Sequence, residues 1–223
     1  MERIGHRGAK REHPENTVAA FKTAFDRGAD AVELDVHATR DGVVVVHHDP
    51  TVGSEFGSVS GRAIADLDWS TLAAASSSSK TRIPTLAEVF AIVHPGGRVY
   101  VEIKGRDIET RVVQVLSDVK ARYAVHSFDH EAIRRMRQIA PQIPRGILYD
   151  HVPKDLERDM RDTGARDVWP SWRLIDESLV ERVHVAGGRV IAWTVNDSSV
   201  AFDLAAQGVD GVCTDDVRLL TGL

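Results

Sequence analysis

The chain has a single cysteine, Cys213, among its 223 residues. An intrachain disulfide is therefore excluded, and a reducing compartment is the default expectation. No apolar run approaches the roughly 18 residues that a membrane-spanning helix needs, and MERIGHRG lacks the basic-then-apolar order of a secretory leader. The expected location is the cytoplasm, without a stable membrane anchor. Positive charge is also short: 28 Lys and Arg stand against 33 Asp and Glu, a net charge of −5. That balance argues against a sequence-independent grip on nucleic acid or on an anionic lipid surface, since both require concentrated positive charge. A local basic pocket is still allowed. The G-x-G-x-x-G turn of a dinucleotide binder is missing too, which weighs against an open doubly wound sheet.

What is present is an alternation. Short apolar runs lead through polar turns into helix-period segments: RIGH before ENTVAAFKTAFDRG, AVELDV with GVVVVHH before PTLAEVFAIVHPGG, RVYVEIK before IETRVVQVLSDV, and YAVHSF before HEAIRRMRQIA. PRGILYD, DVWPSW, RVIAWTVN and VDGVCTDD carry the pattern to the end of the chain. In the first helix Val18, Phe21 and Phe25 have core-facing spacing, and Gly28 marks its end; Gly164, Gly187 and Gly208 close later helices in the same way. Eight strand-then-helix units without a long linker predict an α/β fold, a (β/α)8 TIM barrel forming one domain over residues 1–223. Residues 51–83 interrupt the rhythm with Ser and Gly. They are expected to form a small insertion after the second strand, with a mobile SSSSK tract.

Strand side chains alternate, so in VELDVH the acids Glu33 and Asp35 share a face with His37, while Val32, Leu34 and Val36 share the other. In RVYVEIKG, Glu102 and Lys104 project together in the same manner. Acids inside a barrel must be paired, metal-bound or solvated at the mouth, because an isolated buried carboxylate is costly. Glu33, Asp35 and Glu102 near the C-terminal ends of two strands would converge where barrel active sites sit. An all-oxygen set suits a hard divalent cation such as Mg²⁺, Ca²⁺ or Mn²⁺. The plain alternative is that Glu102 pairs with Lys104 and the other two acids are solvated. His6 and the His47–His48 pair close strands beside these acids; parity separates His47 from His48 without saying which faces the mouth. A cation with two imidazoles can act on a phosphate ester, and Arg7 and Lys104 can bind its oxygens. The other histidines are left as structural, His126 among them.

Six stretches together carry a family resemblance: HRG at 6–8, ENT at 15–17, VELDV at 32–36, DGVVVVHHDPT at 41–51, IPTLAEVF at 83–90 and VEIKG at 101–105. The chain resembles the glycerophosphodiester phosphodiesterases, and WTVN at 193–196 and GVDGVCTDD at 208–216 extend the likeness nearly end to end. The resemblance implies a (β/α)8 barrel hydrolysing a small-molecule glycerophosphodiester to glycerol 3-phosphate and an alcohol, through a cyclic phosphate. It implies that His6 and His48 are the general acid and base and that Glu33, Asp35 and Glu102 hold a divalent cation, Mg²⁺ or Ca²⁺ with Mn²⁺ as a further choice. By the same token Arg7 and Lys104 would contact phosphate, Trp193 would line the glycerol side, and Glu15 would fix the His6–Arg7 loop. Val217 stands where the family's closing motif has proline, and VGSEFGSVSG replaces its Arg-bearing segment, so contacts to the alcohol do not carry over. The rivals are a related phosphodiesterase acting on lysophospholipid or sphingomyelin, and a phosphate-binding barrel without catalysis.

Overall fold

The computed structural model describes residues 1–77 and 81–223, so the end of the SSSSK tract and its expected mobility lie outside the described residues. Eight parallel strands close into a barrel: β1 (Glu2–His6), β2 (Ala31–Ala38), β4 (Arg98–Ile103), β5 (Arg122–Ser127), β6 (Arg145–Tyr149), β7 (Asp167–Pro170), β8 (Arg189–Ala192) and β9 (Gly211–Thr214). Neighbours in sequence are neighbours in the sheet, and β1 pairs with both β2 and β9, which shuts the ring. The strand β3 (Val44–Val46) is not a stave of the barrel. It folds back antiparallel on β2, with Val46 opposite Val36 and Val44 opposite Ala38.

The helices α1 (Val18–Asp26), α3 (Leu86–Phe90), α4 (Glu109–Ser117), α5 (His130–Ile139), α6 (Leu156–Thr163), α7 (Glu177–Val185) and α8 (Ser198–Ala206) follow successive barrel strands, with α2 (Trp69–Ser77) in the interrupting segment. Their starts are written in the sequence: Thr17 caps α1 by accepting from the Ala20 amide, and Thr85 forms a reciprocal capping box with Glu88 at α3. The buried face of α1 is Ala20, Phe21 and Ala24, so Phe21 anchors the expected stripe while Val18 and Phe25 lie at its half-buried margins. Past β9 the chain takes a 3-10 turn over Val217–Leu220, and Asp216 caps it; Val217 is accommodated where the family pattern has proline.

Strand parity sorts the core. Val32, Leu34, Val36, Val99 and Val101 pack outward against helices, whereas Ile4, Ala31, Tyr100, Trp169, Ile191 and Cys213 fill the interior. Glu33 and Asp35 share the parity of Ala31, and Glu102 that of Tyr100, so the barrel's own alternation turns these acids inward above the apolar layer. The segment between β3 and α3 forms two 3-10 turns and α2, and buries a separate cluster of Val52, Phe56, Val59, Ile64, Leu67 and Leu72 against Val45.

Candidate active site

At the C-terminal end of the barrel a cavity of about 150 Å³ is lined by His6, Glu33, His48, Glu102, Lys104 and Trp193, with Arg7 and His126 beside them. A larger groove of about 830 Å³ between α3 and α4 gathers no comparable acid and histidine set. Register explains the convergence: His6 lies level with Glu33, Asp35 with Glu102, and Glu102 with His126.

The HRG stretch positions the first histidine. A side-chain carbon on Gly8 would come within 2.6 Å of the Ala20 backbone, so only glycine lets the loop press against α1 here. Arg7 takes a left-handed φ of 54°, and its amide donates to Glu33 Oε2 at 3.1 Å. His6 Nδ1 is 2.7 Å from Asp215 Oδ1 and its Nε2 is 4.0 Å from Glu33 Oε2. Asp215 is itself held: Asn196 Nδ2 donates to its Oδ2 at 2.7 Å, and Lys10 Nζ lies 3.1 Å from Oδ1. Burial opposes ionisation of Asp215, but the bond and charge of His6, then Asn196 and Lys10, hold its carboxyl well below the usual range. An ionised Asp215 accepts the Nδ1 proton of His6 and leaves Nε2 facing the cavity.

His48 lies just past β3, with Nδ1 2.7 Å from Asp49 Oδ1 and its carbonyl accepting from His37 Nε2 at 3.1 Å. His47 points elsewhere, its ring 6.2 Å from that of Phe56.

Among the acids, Asp35 is fully buried; Asn16 Nδ2 donates to its Oδ2 at 2.8 Å, Arg7 Nε lies 3.1 Å from the same oxygen, and Lys104 Nζ is 3.6 Å from Oδ1. Although burial pushes the other way, these groups keep its carboxyl below the ordinary value. Glu102 accepts from Lys104 Nζ at 3.1 Å. Burial, followed by the charge of Asp35, pushes both Glu33 and Glu102 up to about 7. Glu33 Oε1 and Asp35 Oδ1 have no hydrogen-bond partner. Glu33, Glu102 and His126 each offer one ligand atom within 4.8 Å of the others, a set able to hold a cation.

The remaining expected residues are close by. Glu15 accepts from Arg7 Nη1 at 2.9 Å, and the Trp193 indole donates to the Trp169 carbonyl at 2.9 Å while its ring meets Phe128 edge-on at 5.3 Å. Sequence reasoning passed over Asn16, Asp215, Asn196 and His126. Parity along YAVHSF and GVCTD would have turned His126 and Asp215 inward; the loop approach of Lys10 and Asn16 left no comparable signal.

The Glycerophosphoryl diester phosphodiesterase family pattern matches residues 6–219. The chain is 33% identical to a glycerophosphodiester phosphodiesterase of Caldanaerobacter subterraneus, over 99% of this chain and 96% of that one. A glycerophosphodiester phosphodiesterase of Thermotoga maritima superposes with a TM-score of 0.86 at 28% identity, covering 99% of this chain and 97% of its own. An Oleispira antarctica phosphodiesterase, solved with its product sn-glycerol-3-phosphate, gives a TM-score of 0.88 at 25% identity over 98% and 94%.

Proposed function

The chain belongs to the glycerophosphoryl diester phosphodiesterase family and is a phosphoric diester hydrolase, and from this premise we propose the route by which it cleaves glycerophosphodiesters. The substrate is a small glycerophosphodiester, and the products are glycerol 3-phosphate and an alcohol. One observation carries the reading: Glu33, with a buried carboxylate oxygen that has no hydrogen-bond partner, lines a cavity that also presents Glu102, His6 and His48.

The donor set fits a divalent cation, because buried carboxylate oxygens without a hydrogen-bond partner gain from one and hard oxygens suit Mg²⁺, Ca²⁺ or Mn²⁺. Glu33, Asp35 and Glu102 would hold it, and when bound it would supply positive charge to the phosphoryl oxygens and lower the pKa of the attacking hydroxyl. Arg7 and Lys104 line the same cavity and take the phosphate oxygens, while Trp193 offers an apolar wall to the glycerol carbons. One histidine accepts the proton of the glycerol 2-hydroxyl as its oxygen attacks phosphorus, and the other protonates the departing alcohol. A cyclic phosphate results. Water then opens it with the two histidines in exchanged roles, so the rate has a bell-shaped pH dependence. Asp215 keeps His6 in the tautomer that can accept a proton at Nε2, and Glu15 holds the Arg7 fork.

A lipid-surface activity finds no support in the segment after β3: among its described residues no large apolar side chain is exposed. No helix among the described residues is long and apolar enough to cross a membrane.

The test is an assay of chelator-treated protein on glycerophosphocholine and glycerophosphoethanolamine, reading glycerol 3-phosphate before and after a divalent cation is restored. Cation-dependent release is expected. Undiminished release under chelator would overturn the metal role, and no release from any diester would overturn the substrate class.

A further inference from the structure

His126 stands on β5 at the register position of Glu102 and is 1% exposed, yet neither ring nitrogen has a hydrogen-bond partner. Burying an imidazole that way costs free energy unless another group completes it. Its Nε2 is 3.8 Å from Glu33 Oε1, an oxygen equally without a partner. The ring is held edge-on against Trp169, centroids 4.4 Å apart, and tilted against Tyr100 at 6.1 Å. Aromatic packing of this kind fixes where the nitrogens point. The ligand atoms of His126, Glu33 and Glu102 lie within 4.8 Å of one another, and a bound ion would draw them closer, since cis ligands about 2.1 Å from a metal are about 3 Å apart and trans ligands about 4.2 Å.

We infer that His126 is a nitrogen ligand of the cation, so that this chain's site is a mixed carboxylate and imidazole set rather than an all-oxygen one. The inference rests on the cation-dependent reading above and adds a ligand and a preference to it. An imidazole favours Mn²⁺, Co²⁺ or Zn²⁺ over Mg²⁺ and Ca²⁺, which bind nitrogen poorly. His126 ligates as the neutral imidazole. The set then reads Glu33, Glu102 and His126, while Asp35 Oδ2 stays with Asn16 and Arg7 and its Oδ1 lies 3.6 Å from Lys104 Nζ.

Calorimetric titration of the metal-stripped full chain with Mn²⁺ and with Mg²⁺ alone tests it. In the wild type Mn²⁺ binds far more tightly than Mg²⁺; in His126→Gln the Mn²⁺ affinity falls by about 10- to 100-fold, while Mg²⁺ affinity changes by less than about threefold. An unchanged Mn²⁺ to Mg²⁺ ratio in the variant overturns the inference. Because a buried substitution can unfold the chain, a second measurement uses the native residue: spin-echo spectra of the Mn²⁺-loaded protein should show coupling to an imidazole nitrogen, retained in His6→Ala. Loss of that coupling in His6→Ala, or its absence in the wild type, overturns the inference. Nitrogen coupling together with no diester turnover would uphold the ligand and overturn the function; turnover with Mn²⁺ to Mg²⁺ selectivity unchanged by His126→Gln would do the reverse.

Discussion

The two ends of the barrel interior bury charge in opposite ways. At the N-terminal floor Glu2 accepts from Arg98 at 2.8 Å, from the Tyr100 hydroxyl at 2.7 Å and from Arg189 at 2.6 Å, and Asp167 lies 3.1 Å from Arg166 and 3.6 Å from Arg189. Burial and the neighbouring acids keep the Tyr100 hydroxyl protonated, so it donates. At the C-terminal mouth Glu33, Asp35 and Glu102 meet Arg7 and Lys104, with Arg7 also shared with Glu15, and buried oxygens stay without partners. The same strand parity builds both ends. Guanidinium groups pair the floor acids, though Asp167 Oδ2 has no hydrogen-bond partner, and make the floor part of the scaffold. At the mouth the proposed cation and phosphoryl group would meet the remaining negative potential.

The contrast yields measurable differences. The largest belongs to the mouth: His6→Ala and His48→Ala should each lower kcat/KM by about 10²- to 10⁴-fold while leaving the urea midpoint nearly in place. Near-normal turnover in both would remove the acid and base assignment. Next comes the floor, where Glu2→Gln leaves Arg98 and Arg189 without their carboxylate and should cost about 3 kcal/mol in urea unfolding, with kcat of the folded fraction retained. A stable Glu2→Gln protein with lost activity would show that the two ends are not separable in this way.

A third difference is in pH. The folded values of Glu33 and Glu102, about 7, are raised above the ordinary 4.5, so between these values the folded metal-free chain binds more protons than the unfolded one. The stability they contribute is present at low pH and is lost as pH rises through about 7. Thermal unfolding in chelator should therefore give a Tm that falls from about pH 5 to about pH 8, with a smaller fall in Glu102→Gln, and added divalent cation should reverse the slope because it needs the ionised acids. A flat profile in chelator would mean that the mouth is already neutralised by its own lysine and arginine. The smallest effect is again on the floor: Tyr100→Phe removes one donor to Glu2 and should cost about 1 kcal/mol with no change in KM.

Much of this was legible from residues alone. The alternation of apolar runs and capped helices predicted the barrel, since both signals are local: a strand repeats every two residues and a cap acts within one turn. The inward turn of Glu33, Asp35 and Glu102 followed from the same period. GVVVVHH reads together with AVELDV as one unit; a short apolar run does not say whether it joins a barrel or folds back on a neighbour, and Val44–Val46 pairs antiparallel with β2, with Val45 also bridged to Thr85. HHDP singled out His48 through resemblance, and the structure supplies the physical distinction, with His47 turned toward Phe56 and His48 lining the cavity.

The sequence by itself determined the staves, their faces and the chemistry each face carries, because these depend on neighbours a few residues apart. Tertiary structure decided which side chains meet. Asp215 reaches His6 across 209 residues because β9 closes on β1, and His126 reaches Glu33 because the register of β2, β4 and β5 brings their ends to one depth. Ring closure and strand stagger are properties of the whole sheet, so no local pattern encodes them.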